Sequence, residues 1–318
     1  MSGSGGGLRS EPVRRQNSPM SGSISDRISP LSFVESSMRR LLVLLSISAA
    51  ACADREGEQA PDAPSAEEAA PYVIEVQQVD FAYGMPSEIK SGWVTFEAPN
   101  VGVEHHVAVF LKLPEGVTRA DWNAAMADPE TARSAEWWGE MTDAGGTGAV
   151  APGRTAVTTM YMEPGLYGVL CGVISPDGTA HWMKGMHTTF EVVDQPSGAP
   201  EPSSDVRLTL GEDGFELEGH VTPGTHTVAV YFADQPPGRT HDVHVARLEE
   251  GETLQQAVEL MARPIEPFPM EFVGGAEQGP EGRTDYFTVT FEPGRYALVC
   301  HLHASSGMAQ EFVVEGAS

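Results

Sequence analysis

Short apolar runs separated by glycine and proline make up most of this chain. Runs such as Tyr72–Val76, Trp93–Phe96 and His106–Leu111 are rich in β-branched and aromatic residues, which favours strands. Two segments instead begin with a capping box, Thr118 with Asp121 and Thr253 with Gln256, which predicts short helices. We place the first of these helices over Arg119–Ala127. The pattern predicts an all-β protein with one short helix inserted in each half.

The second half of the chain repeats the plan of the first half. Several sequence anchors recur in the same order: Leu113–Gly116 with Leu248–Gly251, Gly145-Gly146 with Gly274-Gly275, and Glu163-Pro164-Gly165 with Glu292-Pro293-Gly294. The separation from Gly145 to Glu163 equals that from Gly274 to Glu292. Agreement at several anchors indicates an internal duplication, and two copies imply tandem domains. We therefore predict domains at 71–194 and 205–318, joined by a Pro/Ser/Gly-rich linker at 195–204.

Three segments precede the first domain. Residues 1–37 are rich in Ser, Gly and Arg, and we interpret them as disordered or as a mis-assigned start. Residues 38–52 have the charged beginning, short apolar run and small-residue end of a signal peptide, too short to span a bilayer. Residues 53–70 are acidic and rich in Pro and Ala, as in a flexible tether.

The end of the signal segment resembles a bacterial lipobox. In Ala49-Ala50-Ala51-Cys52 the cysteine would be the lipidated residue. This predicts an exported protein, periplasmic or on the cell surface, that contacts the membrane only through a lipid anchor at Cys52. Ordinary cleavage followed by secretion is the alternative.

Composition narrows the class of partner. The chain has 318 residues, of which 41% are apolar, and its 34 Gly and 24 Pro favour turns over long helices. Its formal net charge of -26 repels nucleic acid, which excludes a nucleic-acid-binding protein, and would attract a basic partner. The alternative interpretation is an acidic surface that serves solubility.

The cysteines carry the candidate chemistry. Cys171 and Cys300 occupy equivalent points of the repeat, so neither can form a disulfide within its own domain, and metal ligation gives such thiols a role. Cys300 is followed by His303 and Met308 at the spacing CxxHxxxxM. Thiolate, imidazole and thioether on one loop suit copper. A longer loop places His181 and Met186 after Cys171.

Each set needs one more histidine from upstream. His106 and His241 stand at corresponding distances before Gly116 and Gly251 and are our candidates. Because a strand alternates its faces, adjacent histidines cannot both point inward. His105 and His244 remain the alternatives.

These motifs resemble those of the cupredoxins, the blue copper proteins. The loop Cys300–Met308 is similar to that of plastocyanin, and the loop ending in Met186 resembles the type 1 copper loop of copper nitrite reductases. The resemblance covers nearly all of the chain after the tether and implies Greek-key β-sandwiches with at most one type 1 copper each, the second domain being the stronger candidate. It implies two ligand sets: His106, Cys171, His181 and Met186, and His241, Cys300, His303 and Met308.

The implied activity is electron transport, with a basic redox protein such as a cytochrome as the expected partner. Multicopper oxidases and nitrite reductases place a histidine directly before the type 1 cysteine, where this chain has Leu170 and Val299. We therefore predict that the chain is not an enzyme. The alternatives are a copper-free cupredoxin-like scaffold and a copper storage or delivery protein.

Overall fold

The computed structural model describes residues 70–128, 130, 134–212, 214–235 and 240–316. All of them lie in one compact unit, Pro64–Ser318. The predicted segments 1–37 and 38–52, the tether up to residue 69 and Cys52 lie outside the described residues. Within the described part of the chain, no helix has the length and apolarity needed to cross a membrane.

The first half is built from nine strands and one α-helix. In chain order they are β1 (Val73–Glu75), β2 (Gln77–Val79), β3 (Ala82–Gly84), β4 (Glu88–Pro99), β5 (His106–Lys112), α1 (Arg119–Ala127), β6 (Thr142–Val150), β7 (Thr155–Met162), β8 (Gly165–Leu170) and β9 (His187–Pro196). Short 3₁₀ turns occupy Glu136–Glu140 and His181–Lys184.

The second half has eight strands and one α-helix. They are β10 (Val206–Gly211), β11 (Gly214–Glu218), β12 (Gly224–Phe232), β13 (Val243–Leu248), α2 (Leu254–Ala262), β14 (Glu271–Ala276), β15 (Thr284–Phe291), β16 (Gly294–Val299) and β17 (Ala309–Val314). A 3₁₀ turn at Ala304–Ser306 precedes the last strand.

Each half is a two-layer β-sandwich, so the predicted all-β fold is confirmed. In the first half β1, β4 and β7 form one layer, and β5, β6, β8 and β9 form the other, with the long β4 also pairing with β9. Aromatic side chains from both layers meet in one core, where the ring of Phe110 lies 4.9 Å from that of Phe96 and 5.3 Å from that of Phe190. Burial of such rings supplies much of the apolar stabilisation of the sandwich.

Strand pairing in the second half repeats that in the first. The parallel pair β1 and β4 corresponds to β10 and β12, and the antiparallel pair β5 and β8 corresponds to β13 and β16. Residues of both layers, including Leu208, Phe287 and Leu298, again share a core. The repeated pairings agree with the duplication inferred from the sequence. The domain boundaries remain predictions, and β9 continues to Pro196, past the expected end of the first domain.

Both helices begin at the predicted capping boxes. Thr118 accepts a hydrogen bond from the backbone N–H of Asp121, and the Asp121 carboxylate accepts one from the backbone N–H of Thr118 at 2.9 Å. Thr253 and Gln256 form the equivalent pair at the start of α2. The reciprocal bonds satisfy N–H groups that the first helical turn leaves without partners.

The two halves are joined edge to edge, which the sequence did not predict. Strand β15 of the second half pairs with β7 of the first, and β14 pairs with β6. The backbone ladder therefore runs through both halves as one 15-stranded sheet. The two halves are therefore joined by backbone hydrogen bonds between strands and are not two bodies connected only by a linker.

Glycines permit the closest approaches at this junction. A Cβ atom added to Gly148 would lie 2.6 Å from the Cα of Gly275, which belongs to the other half. Gly275 has a φ of 139° and approaches β13 so closely that an added Cβ would lie 2.0 Å from the Val243 carbonyl oxygen. Only glycine fits where two backbones meet in this way.

We expect Gly148→Ala to destabilise the folded chain by about 1–3 kcal/mol, because the new methyl group must push the two halves apart. The free energy of unfolding in urea measures the effect. Gly211→Ala is the control, since its Cβ would meet nothing within 4 Å. Equal stability of the two variants would contradict the close junction.

Candidate metal centres

Antiparallel strand pairing brings the first set of predicted ligands together. His106 begins β5, and Cys171 directly follows β8, whose Leu170 pairs with Val109 of β5. Because the strands run in opposite directions, the start of one lies beside the end of the other. His181 begins the 3₁₀ turn in the loop after β8, and Met186 directly precedes β9.

The second set has the same placement. His241 stands just before β13, Cys300 directly follows β16, His303 precedes the 3₁₀ turn, and Met308 precedes β17. His244 of β13 pairs with Val299 of β16, so the beginning of β13 again lies beside the end of the cysteine-bearing strand.

The two loops share one backbone scaffold despite their different lengths. The cysteine N–H donates to the carbonyl of the methionine in both, at 3.2 Å for Cys171 and Met186 and at 3.1 Å for Cys300 and Met308. The methionine N–H in turn donates to the carbonyl of the preceding ligand histidine in both loops. Gly185 and Gly307, each directly before the methionine, adopt left-handed φ angles of 111° and 106°. A left-handed turn closes both loops onto the cysteine.

In the first centre, three donor atoms converge. The Nδ1 atoms of His106 and His181 are 3.2 Å apart, and the Sγ atom of Cys171 lies 3.4 Å from the Nδ1 of His181 and 4.0 Å from that of His106. With metal–donor bonds of roughly 2.0–2.3 Å, as for zinc, three donors around one ion lie about 3.5 Å apart. The three side chains are fully buried, so solvent does not compete for the position between them.

The second centre has the same arrangement. The Nδ1 atoms of His241 and His303 are 3.0 Å apart, and the Sγ atom of Cys300 lies 3.6 Å from the Nδ1 of His303. Met308 packs with Cys300 in the core of the second half, as Met186 packs with Cys171 in the first. Each half therefore gathers two imidazoles and one thiol, with a buried methionine nearby.

The two alternative histidines lie elsewhere. His105 stacks on Phe268 with ring centroids 4.5 Å apart, and Glu266 accepts a hydrogen bond from its backbone N–H. The Nδ1 of His244 accepts a hydrogen bond of 3.0 Å from the backbone N–H of Ala149. Of each predicted pair, it is His106 and His241 that face the cysteine.

Carboxylates behind the ligand histidines are the main feature that sequence reasoning missed. The Nε2 of His106 lies 2.7 Å from Asp80, and the Nε2 of His181 lies 2.7 Å from Glu104. Asp80 is in the turn between β2 and β3, far from the ligands in sequence. The only sequence signal was the proximity of Glu104 to His105 and His106. A carboxylate on Nε2 places the imidazole proton there and leaves Nδ1 free to ligate.

Burial determines the protonation states at the first centre. Burial, together with the neighbouring His181, lowers the pKa of His106 to about 4. Burial also lowers the pKa of His181 and raises that of Cys171 to about 12. Both imidazoles are therefore neutral and the thiol is protonated at neutral pH. A metal must displace the thiol proton in order to bind.

A third cluster of potential ligands lies at the junction of the halves. Asp242, His244 and Glu277 are buried and bring their donor atoms within 4.8 Å of one another. Because the Nδ1 of His244 accepts from Ala149, its neutral ring carries the proton on Nε2, which faces Asp242 at 3.5 Å and Glu277 at 3.6 Å. With the proton of the neutral ring on Nε2, that nitrogen is not available to ligate a metal ion.

No protein-family model matches this chain, and no curated protein sequence matches it. Among solved structures, it is similar to auracyanin from Roseiflexus castenholzii, with 21% identity over 39% of this chain and 99% of that chain, at a TM-score of 0.25. It is similar to a multicopper oxidase, with 15% identity over 77% of this chain and 88% of that chain, at a TM-score of 0.22. It is also similar to a copper-containing nitrite reductase from Thermus scotoductus, with 14% identity over 77% of this chain and 61% of that chain, at a TM-score of 0.21.

The fold is cupredoxin-like, as the sequence resemblance implied: two β-sandwiches each carry a His/Cys/His set and a methionine at one end. The prediction that the chain is not an enzyme is wrong. Similar solved structures that cover 73–77% of this chain include a multicopper oxidase, a nitrite reductase and a laccase. Leu170 and Val299 in place of histidine argue only against a second copper bound next to the cysteine. They do not exclude enzymatic activity of another kind.

The protonation states predict how the thiols react in metal-free protein. Cys171 and Cys300 are fully buried, and burial raises the pKa of both thiols. Because the thiolate is the reactive form, we expect neither residue to be alkylated by iodoacetamide at neutral pH in the native state, and both to be alkylated after unfolding. Peptide mapping by mass spectrometry reports each cysteine separately. Rapid labelling of native Cys171 would contradict the buried centre.

Proposed function

We propose that this chain is a copper-binding redox protein that transfers electrons through two mononuclear type 1 copper sites outside the cytoplasm. The observation that carries the proposal is the convergence, in both halves, of two imidazole Nδ1 atoms and one cysteine Sγ within 4.8 Å. Two imidazoles and a thiolate in a trigonal set, with a weak methionine ligand, suit copper better than harder metals. His106, Cys171, His181 and Met186 would hold one ion, and His241, Cys300, His303 and Met308 the other.

Bound copper would supply a one-electron couple, Cu(II)/Cu(I). The protein contributes fixed ligand positions, since each ligand is at the end of a strand or in a loop closed by backbone hydrogen bonds. Burial of the donor side chains excludes water from the space between them. Ligands that barely move between oxidation states keep the reorganisation small, which favours electron transfer.

Titration of the purified protein with Cu(II) tests the copper sites. We expect two coppers per chain and an intense thiolate-to-copper absorption band. Cys171→Ser and Cys300→Ser should each remove one copper and part of the band, and the double variant should have no band. Cys52→Ser is the control: it should keep both coppers and lose membrane association if Cys52 is the lipid anchor.

The absence of a band at saturating Cu(II) would overturn the redox proposal. Binding of Cu(I) alone would then support copper storage or delivery. Binding of neither ion would support a copper-free scaffold.

The acidic surface supports a basic redox partner, such as a cytochrome. With a formal net charge of -26, the chain should attract such a partner electrostatically. Dissolved salt screens this attraction and reduces its range. We expect the second-order rate of electron transfer to a basic cytochrome to fall as ionic strength rises. Stopped-flow kinetics at several salt concentrations measures this rate, and a rate independent of salt would contradict electrostatic steering.

A further inference from the structure

The two centres differ in what lies behind their ligand histidines. In the first half, both remote nitrogens are bonded to carboxylates, His106 to Asp80 and His181 to Glu104, each at 2.7 Å. In the second half, the Nε2 of His241 is buried and has no hydrogen-bond partner among the described residues. His241 occupies the position that His106 has in the first half. The duplication has therefore kept the ligands and changed their surroundings.

Both carboxylates of the first centre are held in place by further bonds. Asp80 accepts a hydrogen bond of 2.9 Å from the backbone N–H of Val103, and Glu104 accepts one of 2.9 Å from the hydroxyl of Ser175. Their side chains are only 21% and 19% exposed, so water screens their charges incompletely. These contacts make the carboxylates fixed parts of the centre and not mobile surface groups.

A carboxylate that accepts the Nε2–H of a ligand imidazole makes that imidazole a stronger donor. The stronger donor and the nearby negative charge both stabilise the more highly charged ion, Cu(II), more than Cu(I). The reduction potential of such a centre is therefore lowered. Two carboxylates act in this direction on the first centre.

The second centre has an acidic neighbour of a different kind. Asp242 is buried next to His241, but its oxygens accept hydrogen bonds from the backbone N–H of His301 and the side chain of Gln278, at 2.6 and 2.7 Å. It holds the loop that carries Cys300, and the Nε2 of His241 is not among its hydrogen-bond partners in the described part of the chain. Because Asp242 does not bond the Nε2 of His241, it does not strengthen that ligand as a donor in the way that Asp80 strengthens His106.

Resting on the proposed copper sites, we propose that Asp80 and Glu104 are positioning residues that hold the reduction potential of the first centre below that of the second. The two centres then differ in reduction potential, and a single electron on the chain resides mainly on the second centre. Each tenfold preference between the centres corresponds to about 59 mV for a one-electron couple.

Aromatic contacts connect the surroundings of the two centres. His105, next to the ligand His106, stacks on Phe268 of the second half. Phe268 contacts Phe272 with centroids 5.7 Å apart, and Phe272 contacts His244, which pairs with Val299 beside Cys300. The halves are thus in side-chain contact beside both centres.

Spectroelectrochemical titration of the copper-loaded chain tests the inference, with Cys171→Ser and Cys300→Ser providing the spectrum of each single centre. We expect two separate potentials, the lower one belonging to the centre of Cys171. Asp80→Asn and Glu104→Gln should each raise this potential by about 59 mV, equivalent to a tenfold loss of preference for Cu(II) over Cu(I), and leave the other unchanged. The two variants alter different loops, so failure of one to fold leaves the other as a test.

Asp205→Asn is the matched control, because Asp205 bonds His226, which belongs to neither ligand set. It should leave both potentials unchanged. Equal potentials in the wild-type chain, or no rise in both carboxylate variants, would overturn the inference while the copper sites stand. Failure to bind copper would instead overturn the proposed function, and this inference with it.

Discussion

Antiparallel pairing between a histidine-bearing strand and a cysteine-bearing strand is the constraint on which both centres depend. It places His106 beside Cys171 through β5 and β8, and it places His241 beside Cys300 through β13 and β16. A slip of one residue in either pairing would turn the ligands to the opposite face of the sheet. The remaining ligands come from the loop that follows the cysteine, so the register of one strand pair determines the whole centre.

Features encoded locally could be predicted from the sequence. The helix α1 covers the predicted residues, because a capping box fixes its start within four consecutive residues. The donor sets could be found because Cys171 and Cys300 recur with a histidine and a methionine downstream. The repeat favoured His106 over His105 by pairing it with His241, and in the structure the Nδ1 of His106 lies 3.2 Å from that of His181.

Features that depend on tertiary structure could not be predicted. Asp80 reaches His106 from a turn in another part of the first half, and no spacing in the sequence indicates that contact. The joining of β6 with β14 and of β7 with β15 depends on which strand edges remain open after each sandwich folds. Enzymatic activity was excluded on sequence motifs, such as Leu170 and Val299 in place of a histidine before each cysteine, and such motifs do not report sites assembled from residues that are distant in sequence.

The continuous sheet has a consequence for the independence of the two halves. A half produced alone would expose the backbone edge that β6 and β7, or β14 and β15, present to the other half. Unpaired edges of this kind promote association between chains. In the duplicated chain, each half therefore covers the open strand edges of the other. A half that lost its metal would still be needed to cover those edges. Selection could then alter one centre freely as long as its strands remained.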